Sequence, residues 1–297
     1  MELRTLRYFV AVAESGSLSA AADVVRVTQP ALSRQLRQFE RELGVRLFHR
    51  PGRALELTAA GREFLSLARE VLGQAESARR AAADLAAGGM GRLGIAAPPT
   101  TLTDVIAPFL ATFGPRDPIP TVVEADGPAA AAALRRGTDL AIVTHAPQRP
   151  LMSRPVAVLP LYAYVPAEHR WAGRARVRLG DLAVEPLVVL DRSFRARQIL
   201  DEAFTAEQLA CGPLLECSNP QVAQALAAAG RGVAVVSDDP RFDLVPLRVD
   251  SAHGPLQIRL FAAWDPGHHA AGTLEDIVRR LSEFVTSRYG GSGPVRQ

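Results

Sequence analysis

Apolar residues recur at three- and four-residue steps from the start of the chain. Leu3, Leu6, Phe9, Val10 and Ala13 trace one face of a helix. Leu18, Ala21 and Val24/Val25 trace a second, with Ser17 or Ser19 placed to accept from the free N–H groups of its first turn. Arg26-Val27 breaks the pattern; Thr28 supplies another cap, and Pro30 is tolerated in a first turn that has no intrahelical N–H bond to lose. A third helix is therefore predicted from about Gln29. Leu32, Leu36, Phe39 and Leu43 line its inner face, which turns Gln29, Ser33, Arg34, Arg37 and Arg41 outward. The first helix closes a small core over the other two, which makes a helix-turn-helix unit with a polar recognition face.

Beyond Gly44, Leu47–Thr58 reads as two short extended runs joined by the Pro51-Gly52 turn, which lifts Arg50 and Arg53 beside the recognition helix as a basic wing. The guanidinium fork suits guanine edges and phosphate oxygens, Gln29 suits adenine, and Ser33 can donate to a phosphate or a base. A helical hairpin with a solvated polar face would also give this alternation, but it does not account for the wing.

From Thr58 to about Ala87 there is no internal proline, and Phe64, Ala68, Val71, Ala75, Ala78, Ala82 and Leu85 follow heptad spacing. A helix of this length, about 40 Å at 1.5 Å per residue, is too long to bury alone. Its alanines admit a close partner helix, so a dimerisation seam is expected; packing on its own domain is the competing reading. Gly88-Gly89-Met90-Gly91 should end it as a hinge. The pattern then changes to alternating strands and helices. Strands are predicted at Leu93–Ala97, Thr121–Ala125 and Leu140–Thr144, with helices at about 102–113 and 128–136. A second set has strands near Ala157–Val165, Leu187–Leu190, Pro213–Cys217 and Val233–Val236, with helices at about 194–205 and 219–229. A strand at Leu256–Trp264 and a helix at about 273–288 return to the first lobe, and 291–297 should be a disordered tail.

The chain is 48% hydrophobic and 22% charged, ordinary for a globular protein of two or three domains. Its charge is not evenly spread: residues 1–58 hold 9 arginines against 6 acids, whereas the rest balances 25 against 25, so the whole formal +3 sits in the first fifth. That favours local phosphate contact over a polyanion-coating or membrane-surface protein. Every basic residue is arginine, which with the alanine and glycine richness reads as genomic base composition. No apolar h-region opens the chain and no apolar run reaches membrane-spanning length, so a cytoplasmic protein, associated with the nucleoid through DNA, is expected.

Ala20-Ala21-Ala22, Thr28-Gln29-Pro30-Ala31-Leu32-Ser33, Leu43-Gly44, Leu47-Phe48-His49-Arg50 and Leu57-Thr58-Ala59-Ala60-Gly61 occur in the order found in LysR-type transcriptional regulators, which the chain resembles from residue 1 to about 290. The resemblance implies an α+β multidomain protein: an N-terminal winged helix-turn-helix (1–58), a long linker helix with its hinge (59–90), and a two-lobed α/β periplasmic-binding-protein-like effector domain (91–290; lobe one about 91–161 and 266–290, lobe two about 162–265). It assigns DNA contact to Gln29, Pro30, Ser33, Arg34, Arg50 and Arg53, and Thr28 and Arg37, on the same stretch, complete the candidate DNA-binding set. It further implies pairing through antiparallel linker helices, a tetramer through the effector domains, promoter DNA and a small-molecule effector as partners, and RNA polymerase as a further one.

Open α/β sheets bind ligands at the carboxyl ends of their strands. Pro99, Thr100 and Thr101, then Thr144 and His145, lie there in lobe one, and Arg192, Ser193 and Phe194, then Ser218 and Asn219, in lobe two. The hydroxyls and helix N-terminus near Thr100 and Thr101, with Arg192 and Arg195, hint at an anionic effector. Simple helix capping is the plain alternative for Thr100, Thr101, Ser193, Ser218 and Asn219. Cys211 and Cys217 are the only cysteines. A peroxide-sensing disulfide occurs in the resembled family, so a redox-sensing regulator using Cys211/Cys217 is an alternative function, although neither flanks a helix start and packing is the expected role. His268-His269 has no companion ligands at metal spacing and is expected in a surface loop. Gly230-Arg231-Gly232 is a tight turn rather than a dinucleotide fingerprint. No catalytic constellation, metal site or cofactor is expected. A non-regulatory small-molecule-binding protein would explain residues 92–290 but not the recognition helix or wing. A non-specific architectural DNA binder would need neither pocket nor linker.

Overall fold

A computed structural model describes residues 2–49, 55–87, 89–125 and 127–289. Arg50, Arg53, the Pro51-Gly52 turn, Gly88 and the tail at 291–297 lie outside the described residues. The chain divides into two compact units, Met1–Ala86 together with Arg135–Thr138, and the remainder from Ala87.

The first unit begins with α1 (Leu3–Ser15), α2 (Leu18–Val24) and α3 (Gln29–Leu43). Ser17 caps α2, its hydroxyl accepting from the Ala20 N–H. Thr28 stands at the N-cap of α3, but its hydroxyl makes no capping bond, contrary to expectation. Gly44 ends α3 with φ +69°, a conformation that favours glycine. The wing strands β1 (Phe48–His49) and β2 (Glu56–Leu57) pair antiparallel. Helix α4 (Ala59–Ala87) follows, its first turn closed by the Thr58 hydroxyl accepting from the Gly61 N–H at 2.9 Å. A Cβ on Gly61 would stand 2.1 Å from the Leu47 carbonyl oxygen, so glycine is what lets α4 lie against the wing.

Phe9 is the hub of this unit. Its ring lies 5.4 Å from both Phe48 and Phe64 and 6.4 Å from Phe39, which ties α1 to the wing, to α4 and to the recognition helix. The inner face of α3 packs as predicted, with Leu32, Leu36 and Phe39 buried. The seam does not survive intact, however. Ala68 is buried and Phe64 partly buried in this same core, because the first turns of α4 complete a domain too small to close without them. Val71 and Leu85 are exposed, with Ala78 and Ala82, while Ala75 is half-buried.

Two lobes form the second unit. After β3 (Arg92–Ala97) comes a helix that begins earlier than predicted: α5 (Pro99–Thr101), a π-helical turn (Leu102–Ile106) and α6 (Ala107–Leu110) run on continuously. Then follow β4 (Ile119–Glu124), α7 (Gly127–Arg135), β5 (Leu140–Val143) and β6 (Met152–Pro160). The second lobe holds β7 (Tyr162–Val165), β8 (Arg176–Arg178), α8 (Leu179–Leu182), β9 (Leu187–Leu190), α9 (Arg195–Ala206), β10 (Leu214–Cys217), α10 (Pro220–Ala228), β11 (Val233–Val236), β12 (Val245–Ser251) and β13 (Gly254–Pro255). Finally β14 (Gln257–Trp264) and α11 (Ala271–Tyr289) return to lobe one.

Lobe one is a five-stranded sheet in the order β4-β3-β5-β14-β6, and lobe two orders β10-β9-β11-β7-β12-β13, with β8 beside β12. Their central strands β5, β7, β9 and β11 are buried at every residue, the continuous apolar runs required when both faces are covered. Since β14 pairs with β5 and β6, the chain re-enters lobe one by residue 257, before the expected boundary at 265. The expected single strand at Ala157–Val165 is two: β6 belongs to lobe one and β7 to lobe two, and the chain changes lobes at Leu161. The Leu161 N–H donates to the Leu256 carbonyl at 2.8 Å, which fastens the two crossing segments together. Sequence patterning missed β8, α8, β12 and β13.

Candidate DNA-binding face and effector cavity

Thr28, Gln29, Pro30, Arg34, Arg37 and Arg41 are exposed on or beside α3, and Ser33 is half-buried. Several bonds keep this surface ordered. Arg37 donates to the Ser33 carbonyl and hydroxyl at 3.3 and 3.1 Å, and the Ser19 hydroxyl lies 3.2 Å from Gln29 Oε1. Glu40 was not singled out in the sequence, yet it is the buried acid of this helix. Its Oε1 accepts the N–H groups of Leu47 and Phe48 at 2.8 and 3.1 Å, which fixes the start of the wing to α3. A Glu sharing the helix's inner face with Phe39 was the available signal. Among the seam residues, Phe64 and Ala68 are committed to the core of their own unit, as described above.

Within the second unit the two lobes enclose a cavity of about 930 Å³. It gathers the loops after β3, β5, β9 and β11, and in each lobe these strands run parallel, so within each lobe both loops leave carboxyl ends on the same side of the sheet. Pro99, Thr100, Thr101, Thr144, His145, Ser193 and Phe194 line it. Val105, Val143, Leu159, Ile258 and Leu260 supply apolar wall.

Three expected effector residues do not reach the cavity. Arg192 is exposed and lies 3.7 Å from Asp201. Asn219 caps α10, its Oδ1 accepting from the Gln221 and Val222 N–H groups, and the neighbouring Ser218 is exposed. Capping, the plain alternative, is therefore what Asn219 does. Ser193 lines the cavity, but its hydroxyl is held by Asp191 Oδ1 at 2.6 Å, and that bond with the Ser193 N–H keeps the Asp191 carboxyl below its ordinary range. Arg195 reaches the wall, yet Glu202 holds it at 2.8 Å. The arginine part of the case for an anionic effector thus loses its support, since neither presents an uncommitted cation, while Thr100 and Thr101 do stand on the cavity wall at the start of their helix.

What the cavity does present is acid. Asp104, on the π-helical turn, and Asp238, in the loop after β11, line it and are buried, and Tyr289 of α11 joins them. Asp104 bridges the lobes: its Oδ2 accepts the Asp239 N–H at 3.0 Å and its Oδ1 meets Arg241 at 2.8 Å. Arg288 pairs with Asp239 at 3.0 Å, and the Tyr289 hydroxyl donates to the Asp104 carbonyl at 2.9 Å. Burial, with Asp104 and Asp239 nearby, pushes the Asp238 carboxyl up to about 8. Ser237-Asp238 follows a strand's carboxyl end just as the other loops do, so the rule that found them would have found it. Nothing local marks Tyr289.

His268, expected in a surface loop, is instead largely buried, its Nε2 3.2 Å from Asp139 Oδ1, and Asp139 also accepts the Gly94 N–H at 2.6 Å. Cys211 and Cys217 are unbridged, and burial pushes both thiols up, away from the reactive thiolate. No group of three or more metal-ligating side chains occurs among the described residues, and no helix among them is long and apolar enough to cross a membrane.

Comparison with known proteins agrees with this architecture in both units. The family model for the bacterial regulatory helix-turn-helix protein, lysR family, matches residues 3–62, and that for the LysR substrate binding domain matches residues 86–285. The HTH-type transcriptional regulator CysB of Burkholderia cenocepacia is 32% identical over 246 residues, 80% of this chain and 78% of that protein. Among solved structures, a variant of full-length OxyR from Pseudomonas aeruginosa superposes with a TM-score of 0.66 at 25% identity, covering 95% of this chain and 94% of that one. Full-length CbnR complexed with its target DNA gives a TM-score of 0.73 at 24% identity, covering 95% and 100%, a likeness of fold. The chain belongs to the LysR family and is a DNA-binding transcriptional regulator with a C-terminal substrate-binding effector domain.

Proposed function

We propose that this regulator binds a specific operator through the outer face of α3 and its wing, as a dimer, and that a small molecule seated between the lobes of the effector domain controls it. The cavity carries the reading: about 930 Å³, closed by four loops from the carboxyl ends of parallel strands, within the range of small-molecule sites. Gln29, Ser33 and Arg34 are the base-reading candidates and Arg50 and Arg53 the wing contacts. Exposed Val71 and Leu85 on α4, rather than the whole heptad series, would meet a second copy, and Ile119, Val122 and Val123, exposed on edge strand β4, would extend the assembly to a tetramer. Contact with RNA polymerase and a cytoplasmic location complete the reading. The raised thiols give the redox alternative no support.

A ligand alters DNA binding only if it favours one lobe arrangement over another. Thr100→Val with Thr101→Val should abolish the effector response and leave effector-free operator affinity intact. Operator titration of the double variant tests this: an unchanged response at the same effector concentration would place the effector elsewhere. An unmodified chain with no sequence preference at moderate salt would remove the specific-regulator reading.

A further inference from the structure

Asp238 belongs to the cavity lining and is only 4% exposed, and its Oδ2 is buried with no hydrogen-bond partner among the described residues. Around it stand two carboxyl groups, Asp104 and Asp239, and two guanidinium groups, both engaged by them: Arg241 by Asp104 at 2.8 Å and Arg288 by Asp239 at 3.0 Å. Neither tyrosine of β7 neutralises it. The Tyr164 hydroxyl donates to the Asp238 main-chain carbonyl, not its carboxyl, and Tyr162 interacts with Arg248 of β12. From α11, Tyr289 is committed to Asp104 and lies 3.3 Å from Asp239 Oδ2. Arg241 and Arg288 pair with Asp104 and Asp239, which leaves Asp238, a residue of the cavity wall, without an ion-pair partner among the described residues when every acid is ionised.

We propose that the effector is a cation, an apolar body carrying a protonated amine, and that the Asp238 carboxylate is its counter-ion. This rests on the reading that the cavity is the effector site, and adds the chemistry of the ligand. Phe194, Ile258 and Leu260 would cover the apolar body. An anion would meet the reverse situation, because Arg195 is already held by Glu202 and a second negative charge would enter beside a buried acid. The exposed His145 is the remaining titratable group on the wall.

The proposal predicts proton release. With the cavity empty, the Asp238 carboxyl holds its proton to a pH of about 8. An ammonium group stabilises the ionised form, so binding below that pH must expel the proton, and affinity should rise by up to tenfold per pH unit from about 6 to 8 before levelling off.

The test is calorimetric titration of the full chain with phenethylamine, phenethyl alcohol and phenylacetate, across pH 6 to 9 and in two buffers of different ionisation heat. The amine should bind at least tenfold more tightly than the alcohol at pH 8, release close to one proton at pH 6.5, and lose its advantage in Asp238→Asn. An alcohol that binds both proteins as well as the amine does would leave the cavity as the effector site and overturn the cationic assignment. Tighter binding of phenylacetate, or amine binding to unmodified protein without proton release, would overturn it too, and the latter needs no variant to fold. Failure of all three compounds to bind would overturn the cavity and the assignment together.

Discussion

On α3 the outward charged side chains are exposed, and such bonds as they make are short in the chain, as Arg37 makes to Ser33 one turn away. The acids of the cavity, Asp104 and Asp238, are buried, and the partners of Asp104 are distant in the chain, as Arg241 and Tyr289 are. The contrast is energetic as well as topological. Solvent screens the first set, so each member can be lost at little cost to folding, and in the proposed function its value lies in contact with DNA. Water cannot rescue the second set, so each acid there is either paired within the protein or, like Asp238, holds its proton well above the ordinary carboxylate range.

The sharpest test removes the core beneath the exposed face. Phe9→Ala deletes the ring shared by α1, α3, the wing and α4 and should cost about 3–5 kcal/mol. Chemical denaturation should show the loss in the N-terminal unit alone, with operator binding gone; a loss below about 1 kcal/mol would mean that α3 does not depend on that hub. Next in size is Val71→Asp. In a dimer joined through α4 it buries a carboxylate between helices at a cost of several kcal/mol, whereas in a monomer it stays solvated. Sedimentation equilibrium at micromolar concentration should therefore find monomer, and an intact dimer would move the interface off Val71.

Asp238 supplies a pH test without ligand. Its folded carboxyl, at about 8, lies above its unfolded value of 3.8, so between these values the folded state holds a proton that the unfolded state has lost. Stability accordingly falls as pH rises through this window, by up to about 1.4 kcal/mol per unit, and levels off above it. Asp238→Asn should remove that slope, so that its melting temperature relative to the unmodified chain climbs from pH 5 to 8. Asp239, also pushed up by burial, acts alike in both proteins and cancels in the difference; parallel melting curves would show that Asp238 is ordinary.

Smaller effects belong to the exposed residues. Gln29→Ala or Arg34→Ala should weaken operator binding by about 1–3 kcal/mol with less effect on non-specific DNA and none on folding. Equal affinity of both variants for the operator would displace the base-reading assignment. Smallest of all, Arg192→Ala should change stability by less than about 0.5 kcal/mol and leave the effector response as it was, since its pair with Asp201 is solvated. A lost response would return Arg192 to the cavity.

The helix-turn-helix was legible because its information is local. One apolar stripe, the Ser17 cap and the Arg26-Val27 break lie within 40 residues, and helical periodicity fixes which side chains face out. The wing, the linker helix and most strands of the two lobes were equally readable from period and punctuation. Where short-range patterning failed, a competing tertiary demand had taken over. The heptad series at Phe64 and Ala68 is also the stripe that closes the first domain, and spacing cannot tell a partner helix from the helix's own core. The chain's change of lobe at Leu161 falls inside one uninterrupted apolar run.

Sequence alone thus determined most of the elements, the exposed face of α3 and the rule that strand ends make the pocket, because propensity, capping and amphipathic period act over a few residues. Only the tertiary structure decided which strand ends meet, that Arg192, Ser218 and Asn219 stay outside, and that Asp104, Asp238 and Tyr289 come together from three parts of the chain. Charge balance in a buried cluster is a property of distances through space. Asp238 reads in the sequence as one acid among 31, and burial among neighbours that leave its Oδ2 unpartnered is what sets it apart.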